Sequence, residues 1–266
     1  MQITQTTITP EEAASILRAN KNNRPISGSA VKAYVKDMLR GAWRFNGDAI
    51  RIDEDDNLLD GQHRLLACVR SGVPLEVVMM EGLSREVFTT IDTGKKRNAS
   101  DILSMEDYKH TTSLAAGVRF LIDWDNGTRS INSFAGGCGI TNDDVLEYVR
   151  SHPEIAEQAT LCKTKYTKIC GLVGASAAVG CLHLLCKKDE ELAHEFFHKL
   201  ASGSGLNQDD VIFQLRERLI SLSLSGHKLR AGGKAQLIIS AWNKLRSGRV
   251  TGKVLFKPEK PVPEVK

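Results

Sequence analysis

The chain has 266 residues, of which 41% are hydrophobic and 26% charged, the balance of an ordinary globular protein with a sizeable core. No apolar run reaches the length of a membrane span, and MQITQTTITPEE lacks the basic and apolar regions of a signal peptide, so we expect a cytoplasmic protein without a membrane partner. The formal net charge of +4 is mildly basic and does not by itself indicate nucleic-acid binding.

The first hundred residues alternate between strand-like and helix-like patterns. Strands are indicated by β-branched alternation, and helices by Ser or Thr caps, a proline in the first turn and a closing glycine. Strands are predicted at 3–9, 49–53, 58–59 and 75–81, and helices at 10–18, from Ser27 or Ser29 to Arg40, at 62–72 and after Ser84. In the helix at 62–72, the spacing predicts that Leu65, Leu66 and Val69 face inward.

The remainder of the chain has a helical pattern almost throughout. The stretch 126–139 contains NG and FAGGCG and predicts a long loop. Helices are predicted at 110–124, 142–151, 153–165, 173–187, 189–201, 208–223 and 230–247. We therefore expect an α+β protein: a small mixed α/β domain at 1–100, an all-α domain at 101–250, and an extended or disordered Pro-rich tail at 251–266.

The most distinctive string is LLDGQHRLLA, residues 58–67, in which a strand ends in Asp-Gly and continues into a helix. The first turn of a helix has unpaired N–H groups and a partial positive charge, which suits anions. Gly61 permits close approach of a ligand, and His63 and Arg64 add donors, while Asp60 caps the helix or holds a metal or a ribose hydroxyl. A purely structural interpretation, with a cap, a turn glycine and an exposed arginine, stays open.

DGQHR followed by LLA, between two strands, resembles the ParB/sulfiredoxin superfamily, and within it the subgroup named for this box, which includes DndB-like proteins of DNA phosphorothioation systems. The resemblance covers about residues 1–100, where ISGSAVKAYVKDMLRGAW, AIRID, the box and LEVVMM follow the order of that fold, and NRPIS matches an early segment. TTIDTGKKRNASDIL and AWNKLRSGRV look like segments of ParB-like proteins from phages and prophages. This places the chain, as an expectation, among phage or mobile-element proteins of the host cytoplasm.

The resemblance implies recognition of phosphate. The corresponding box of ParB partition proteins binds the triphosphate of CTP and drives closure of a DNA clamp, so Gly61, Gln62, His63 and Arg64 are expected to face phosphate. Sulfiredoxin has a reactive cysteine where this chain has Gln62, which argues against that chemistry. Phosphotransferase branches use a carboxylate base, for which Asp60 is the candidate.

Several functions stay open at this point. The expected ligands are DNA and a nucleotide, with Mg²⁺ and ATP or CTP as cofactors if the nucleotide is hydrolysed, and a homodimer is a further expectation. The alternatives are a non-enzymatic DNA-binding regulator of the DndB-like kind, or a phosphotransferase or nuclease acting on DNA or a small molecule.

Two further basic features near the box are candidates for the same phosphate site. Arg24 precedes Pro25, which favours an extended backbone from which the side chain reaches the box. TGKKRN, residues 93–98, brings Lys95, Lys96 and Arg97 together in a string too short for a P-loop. A solvated basic loop is the alternative interpretation of this cluster.

The most basic stretch of the chain is 227–257, which holds eight Lys and Arg and no acid. An apolar stripe from Leu237 to Leu245 predicts that one face of its helix is core. The remaining charges are candidates for DNA phosphate contacts, which would steepen the salt dependence of binding, although a solvated basic helix is equally compatible. These candidates are Lys228, Arg230, Lys234, Lys244, Arg246 and Arg249.

The cysteines and histidines do not predict a metal site. Cys181, His183 and Cys186 lack a CxxC pair and lie in an apolar, small-residue string, which is typical of a buried helix. His194 and His198 form HExxxH rather than the HExxH of zincins. We expect the six cysteines to be reduced thiols.

Overall fold

The computed structural model describes residues 1–20, 23, 25–84, 86–87, 97–134, 139–226, 229–249 and 253–266. The chain is α+β, with a four-stranded sheet and a helical majority. It divides into two compact units, Met1–Lys96 and Arg97–Lys266, so the division lies four residues before the boundary predicted after residue 100.

The first unit contains the sheet, with three helices between its strands. The strand order is β1-β4-β2-β3, in which β1 and β4 are antiparallel, β2 and β4 parallel, and β2 and β3 antiparallel. The elements are β1 (Gln2–Ile8), α1 (Pro10–Arg18), α2 (Gly28–Leu39), β2 (Ala49–Asp53), β3 (Leu58–Asp60), α3 (Gln62–Ser71) and β4 (Leu75–Leu83). The elements predicted up to residue 81 are all present, within two residues at each end.

Local sequence explains where the helices of this unit begin and end. Thr9 accepts from the Glu12 N–H while the Glu12 carboxylate accepts from the Thr9 N–H, a reciprocal cap that starts α1. Ser27, rather than Ser29, caps α2. Gly72 ends α3 in the left-handed region, at φ +70°. The helix predicted after Ser84 falls mostly outside the described residues.

The second unit is helical in its described part. Its helices are α4 (Ala99–Met105), α5 (Thr111–Asp125), α6 (Asn142–Ser151), α7 (Glu154–Thr164), α8 (Thr167–Val173), α9 (Ala175–Cys186), α10 (Glu190–Ser202), α11 (Val211–Leu224) and α12 (Ala231–Arg246). The short helices α4 and α8 were not predicted. Seven residues are too few to display helical periodicity, although the reciprocal cap of Asn98 and Asp101 is a readable signal for α4.

The core of the second unit is organised around a close crossing of α5 and α9. A Cβ atom added to Gly117 would lie 2.4 Å from Val179 Cγ1, and one added to Gly180 would lie 2.2 Å from Phe120 Cδ1. Both glycines therefore permit an approach that a larger residue would prevent. Phe120 also stacks on Phe134, with ring centroids 4.3 Å apart.

Residues 253–266, for which the sequence offered an extended or a disordered tail, form an ordered part of the second unit. The segment has neither helix nor strand, but the buried Gln236 donates to the carbonyls of Lys257 and Lys260, and Trp242 Nε1 donates to the Lys266 carbonyl. Its valines supply apolar contacts, which the proline-rich, charged composition of the segment did not lead us to expect. Those buried in the core are Val254, Val262 and Val265.

No single helix among the described residues is long and apolar enough to cross a bilayer. Taken together, α8 and α9 satisfy length and composition, but they are bent by 117°.

Candidate functional site: the DGQHR box and the basic segments

The turn between β3 and α3 requires glycine at position 61. Gly61 has φ +105°, a backbone conformation that residues with a Cβ rarely adopt. A Cβ there would lie 2.3 Å from Cδ1 of Ile50, a fully buried residue of β2. The close approach predicted at Gly61 is therefore made by the protein's own core.

Asp60 lies at the centre of an ion-pair network. Its Oδ2 accepts from Arg51 Nη1 at 2.6 Å and from Arg64 Nη2 at 3.2 Å, and its Oδ1 accepts from the Gly61 N–H at 2.7 Å. The N-cap position of α3 belongs to Gly61, and no side chain caps this helix. Asp60 therefore joins β2, β3 and α3 instead of capping the helix.

Arg64 is buried, with 9% of the residue exposed, and not on the surface as the structural interpretation of the box supposed. Its Nη2 donates to the Ala49 carbonyl at 2.8 Å in addition to its bond with Asp60. Its Nη1 has no hydrogen-bond partner among the described residues, and the Asp48 carboxylate lies 3.8 Å away, beyond hydrogen-bond distance. A buried guanidinium N–H without a partner is costly and calls for a cause.

The other two side chains of the box attach α3 to the preceding helices. Gln62 is 4% exposed, and its Oε1 accepts from Asn20 Nδ2 at 3.0 Å. His63 Nε2 accepts from the Ser27 N–H at 2.9 Å, at the start of α2. Gln62 and His63 therefore hold neighbouring segments in place, in addition to any contact with a ligand.

The inward face of α3 differs from the predicted one. Leu65 is buried as expected, but Leu66 is only partly buried and Val69 is 36% exposed. Gln62 and Arg64 take the interior positions because their polar atoms find partners at the ends of α1, β2 and β3.

Three residues of this site escaped the sequence reasoning. Asn23 Nδ2 donates to Asn20 Oδ1 and to the Leu58 carbonyl, both at 2.7 Å, so the two asparagines fix β3 beside Gln62. Arg51 binds Asp60 from β2. The available signals were the amide-rich string NKNNRP and a lone arginine inside the apolar strand AIRID.

The basic residues expected beside the box are mostly outside the described residues. This applies to Arg24, Lys95 and Lys96. Arg97 is exposed at the start of the second unit, where its carbonyl accepts from Asn142 Nδ2 at 3.1 Å. Their proposed contact with phosphate stays a prediction.

The basic residues predicted to bind DNA are spread around α12 instead of forming one face. Lys228 is outside the described residues. At 3.6 residues per turn, the angle around the helix axis is about 80° between Lys234 and Lys244, about 120° between Lys234 and Arg246, and about 160° between Lys244 and Arg246. The buried Leu237, Ile238, Ala241 and Trp242 of the predicted stripe are joined by Gln236 and Ile239, so the helix is enclosed on most sides.

Several of these basic side chains already have partners. Arg230 Nη1 donates to the Asn132 carbonyl at 3.2 Å, and Lys244 Nζ donates to the Lys253 carbonyl at 2.6 Å. Arg246 pairs with Asp189 at 2.9 Å and lies over the Trp242 ring. Arg249 is exposed.

Lys234 is half-buried, and burial lowers its pKa below the ordinary value. A lysine in this environment is a weaker candidate for a phosphate contact than an exposed one.

The apolar string around Cys181 is a core helix, as expected. Cys181 and His183 are at most 1% exposed, and burial raises the pKa of the Cys186 thiol to about 12. His183 donates from Nδ1 to Gln158 Oε1 at 3.0 Å and leaves Nε2 without a partner among the described residues. Burial, with a contribution from Lys187, lowers the pKa of His183 to about 4, so its imidazole is neutral at physiological pH.

Within the described parts of the chain, no group of three or more His, Cys, Asp or Glu side chains is arranged to hold a metal ion. A comparison with protein families finds no matching family model, and a comparison with characterised proteins finds no match. The resemblance to the ParB/sulfiredoxin superfamily therefore depends on the quoted strings alone.

Proposed function

We propose that the first unit binds a phosphate group, of a nucleotide or of DNA, at the N-terminal end of α3, as part of a phage or mobile-element ParB-like protein that binds DNA. The observation that carries this proposal is the buried guanidinium of Arg64, whose Nη1 has no hydrogen-bond partner among the described residues. It lies in the first turn of a helix that no side chain caps.

Both features favour an anion. The N-terminal end of an uncapped helix carries a partial positive charge, and a guanidinium donor beside it adds a full one. A phosphate oxygen that reaches Nη1 would relieve the cost of the unpaired donor, because charge-assisted hydrogen bonds are about twice as strong as neutral ones. Asp48, whose side chain is 63% exposed, is the neighbouring group that has to yield to the ligand.

The contacts of Asp60 favour binding over turnover. Its carboxylate already accepts from two guanidinium groups and a backbone N–H, which suits a residue that positions Arg64 and not a base that takes up protons. This supports a second candidate, a non-enzymatic DNA-binding regulator of the DndB-like kind, over a phosphotransferase or nuclease with Asp60 as base. Mg²⁺ with ATP or CTP remains the ligand pair to test for the nucleotide-dependent alternative.

The proposal is tested by thermal shift with ATP, with CTP and with duplex DNA, each in the presence of Mg²⁺. A ligand at about 100 times its Kd should stabilise the protein by about 2.7 kcal/mol. We expect the shift in the wild type and its loss in Arg64→Lys, which keeps the charge but removes the forked donors. Arg70→Lys, at the exposed opposite end of α3, is the matched control and should keep the shift.

Each variant is compared with its own ligand-free Tm, so a loss of stability is not mistaken for a loss of binding. A shift with one nucleotide identifies a nucleotide site, and a shift with DNA alone identifies a backbone site. An absent shift in the wild type, or an equal shift in Arg64→Lys, would overturn the proposal.

A further inference from the structure

A cavity of about 270 Å³ lies between α12 and the C-terminal segment, within the second unit. Four lysines line it: Lys244 from α12, and Lys253, Lys257 and Lys260 from the segment. Among the described residues that line it there is no Asp or Glu, and the exposed Glu259 lies between Lys257 and Lys260 along the segment. The nearby carboxylate of Glu264 is engaged by Arg129 at 2.8 Å.

We propose that this cavity binds phosphate groups. Four lysines that line one cavity give it a positive potential, which attracts an anion with several negative charges. A lysine ammonium is a compact point charge with three rotatable donors, which fits phosphate oxygens without selecting a particular base.

Hydrogen bonds from α12 hold the backbone of the segment that carries three of these lysines. Gln236, which is 3% exposed, donates to the carbonyls of Lys257 and Lys260 and accepts from the Lys257 N–H at 2.9 Å. Lys244 donates to the Lys253 carbonyl. Because the backbone is already ordered, binding has to immobilise only the lysine side chains, which reduces its entropic cost.

The backbone of the C-terminal segment is anchored although its lysine side chains are exposed. The C-terminal segment has no helix or strand of its own, yet Val254 and Val262 anchor it in the core on either side of Lys257 and Lys260. The segment thus contributes three of the lysines that line the cavity, and Lys244 of α12 contributes the fourth.

The phosphate could belong to a DNA backbone or to a free polyphosphate, which share the chemistry that the cavity recognises. If the ligand is DNA, the proposal specifies the proposed function further. The helical unit then contacts DNA at this cavity and not through the dispersed charges of α12. The proposal then rests on the DNA-binding part of that function and is independent of the box in the first unit.

The test compares two triple variants with the same change in net charge. The site variant carries Lys253→Gln, Lys257→Gln and Lys260→Gln, and the control carries Lys163→Gln, Lys168→Gln and Lys188→Gln, three exposed lysines of the same unit. Affinity for fluorescent duplex DNA is measured across salt concentrations, and affinity for tripolyphosphate by calorimetry. Ligand-free Tm values establish that both variants are folded.

We expect the site variant to lose about tenfold or more in affinity, and the slope of log affinity against log salt to fall by about 2 to 3 if DNA occupies the cavity. The control should change by less than about threefold. The corresponding triple Lys→Arg variant keeps the charges and should keep binding.

A loss of tripolyphosphate binding with unchanged DNA binding identifies a free polyphosphate as the ligand. Equal losses in the site and control variants, or unchanged affinity for both ligands, would overturn the proposal. Arg64→Lys reports on the box alone, so normal binding by that variant with loss in the site variant separates the two proposals.

Discussion

Both units have an apolar core, and they differ in how they use the polar residues that they bury. In the first unit, the joint between the sheet and α3 is built from charges and amides, with Arg64, Asp60 and Gln62 at its centre. In the second unit the buried histidine is neutral and bonds to a buried amide, Gln158, away from any site proposed for a ligand. The residues of the candidate site in the first unit also hold its helices and strands together. A change to the box should therefore affect both stability and binding.

The largest effect is expected from the buried ion pair. Among the described residues, Arg64→Met leaves Asp60 with Arg51 alone as its ionic partner, and it should cost about 3–5 kcal/mol of unfolding free energy. Arg150→Met, which breaks the exposed pair with Glu106 in the second unit, should produce no measurable change. Urea unfolding, with hydrogen exchange to locate the opened unit, measures both. Equal effects would remove the contrast between the units.

The second largest loss of stability is expected from Gly61→Ala. The new Cβ meets Ile50 and forces a left-handed conformation on alanine, a combined cost of about 3 kcal/mol. Gly72→Ala is the control at the other end of α3, where φ is +70° and no atom lies within 4 Å of the Cβ position, and should cost about 1 kcal/mol. Identical unfolding midpoints for the two variants would show that Ile50 accommodates the methyl group.

The second unit should respond to acid through His183. Its pKa is about 4 when folded and 6.5 when unfolded, so between these values the unfolded chain binds a proton that the folded protein excludes. This contribution to stability is complete well above pH 6.5 and falls by about 2 kcal/mol between pH 7 and pH 5. His183→Gln should flatten this dependence, and His198→Gln, on the exposed side of α10, should preserve it. The free energy of unfolding of each variant is measured at pH 7 and pH 5. If it still falls by the wild-type amount in His183→Gln, His183 is not the group responsible.

The smallest expected effect is at Lys234. Burial lowers its pKa, so its charged form is disfavoured in the folded state, and stability rises with pH from the lowered pKa toward the ordinary value of 10.5. Lys234→Met should therefore raise stability at pH 7 and reduce the rise in alkaline solution. Lys187→Met, at an exposed position, serves as the control. A destabilised Lys234→Met variant would mean that the ammonium has a favourable contact.

Much of the fold was readable from local chemistry. The caps of Thr9 and Ser27, the closing Gly72 and the alternation of AIRID predicted elements that the structure contains within one or two residues. The helices α4 and α8 were missed because one or two turns are too short for periodicity. The order of the C-terminal segment was missed because its three buried valines are surrounded by prolines and charges.

The candidate site was less predictable than the fold. The box was recognisable as a unit, but the sequence assigned its donors to a ligand, whereas the structure gives most of them partners within the protein. Asn20, Asn23 and Arg51 became part of the site only through distant contacts, such as the 42-residue separation of Asn20 and Gln62.

The sequence by itself determined the strands, the longer helices and the turn at Gly61, because caps, turns and periodicity depend on neighbours along the chain. Only the tertiary structure decided which charges are available. In the folded unit Arg64 is buried and bonded to Ala49 and Asp60. The basic residues of α12 lie on different sides of an enclosed helix, and Lys244 lines the same cavity as the lysines of the C-terminal segment. The physical reason is that hydrogen bonding and burial of a charge depend on partners far away in sequence, whose positions are set by packing of the whole unit.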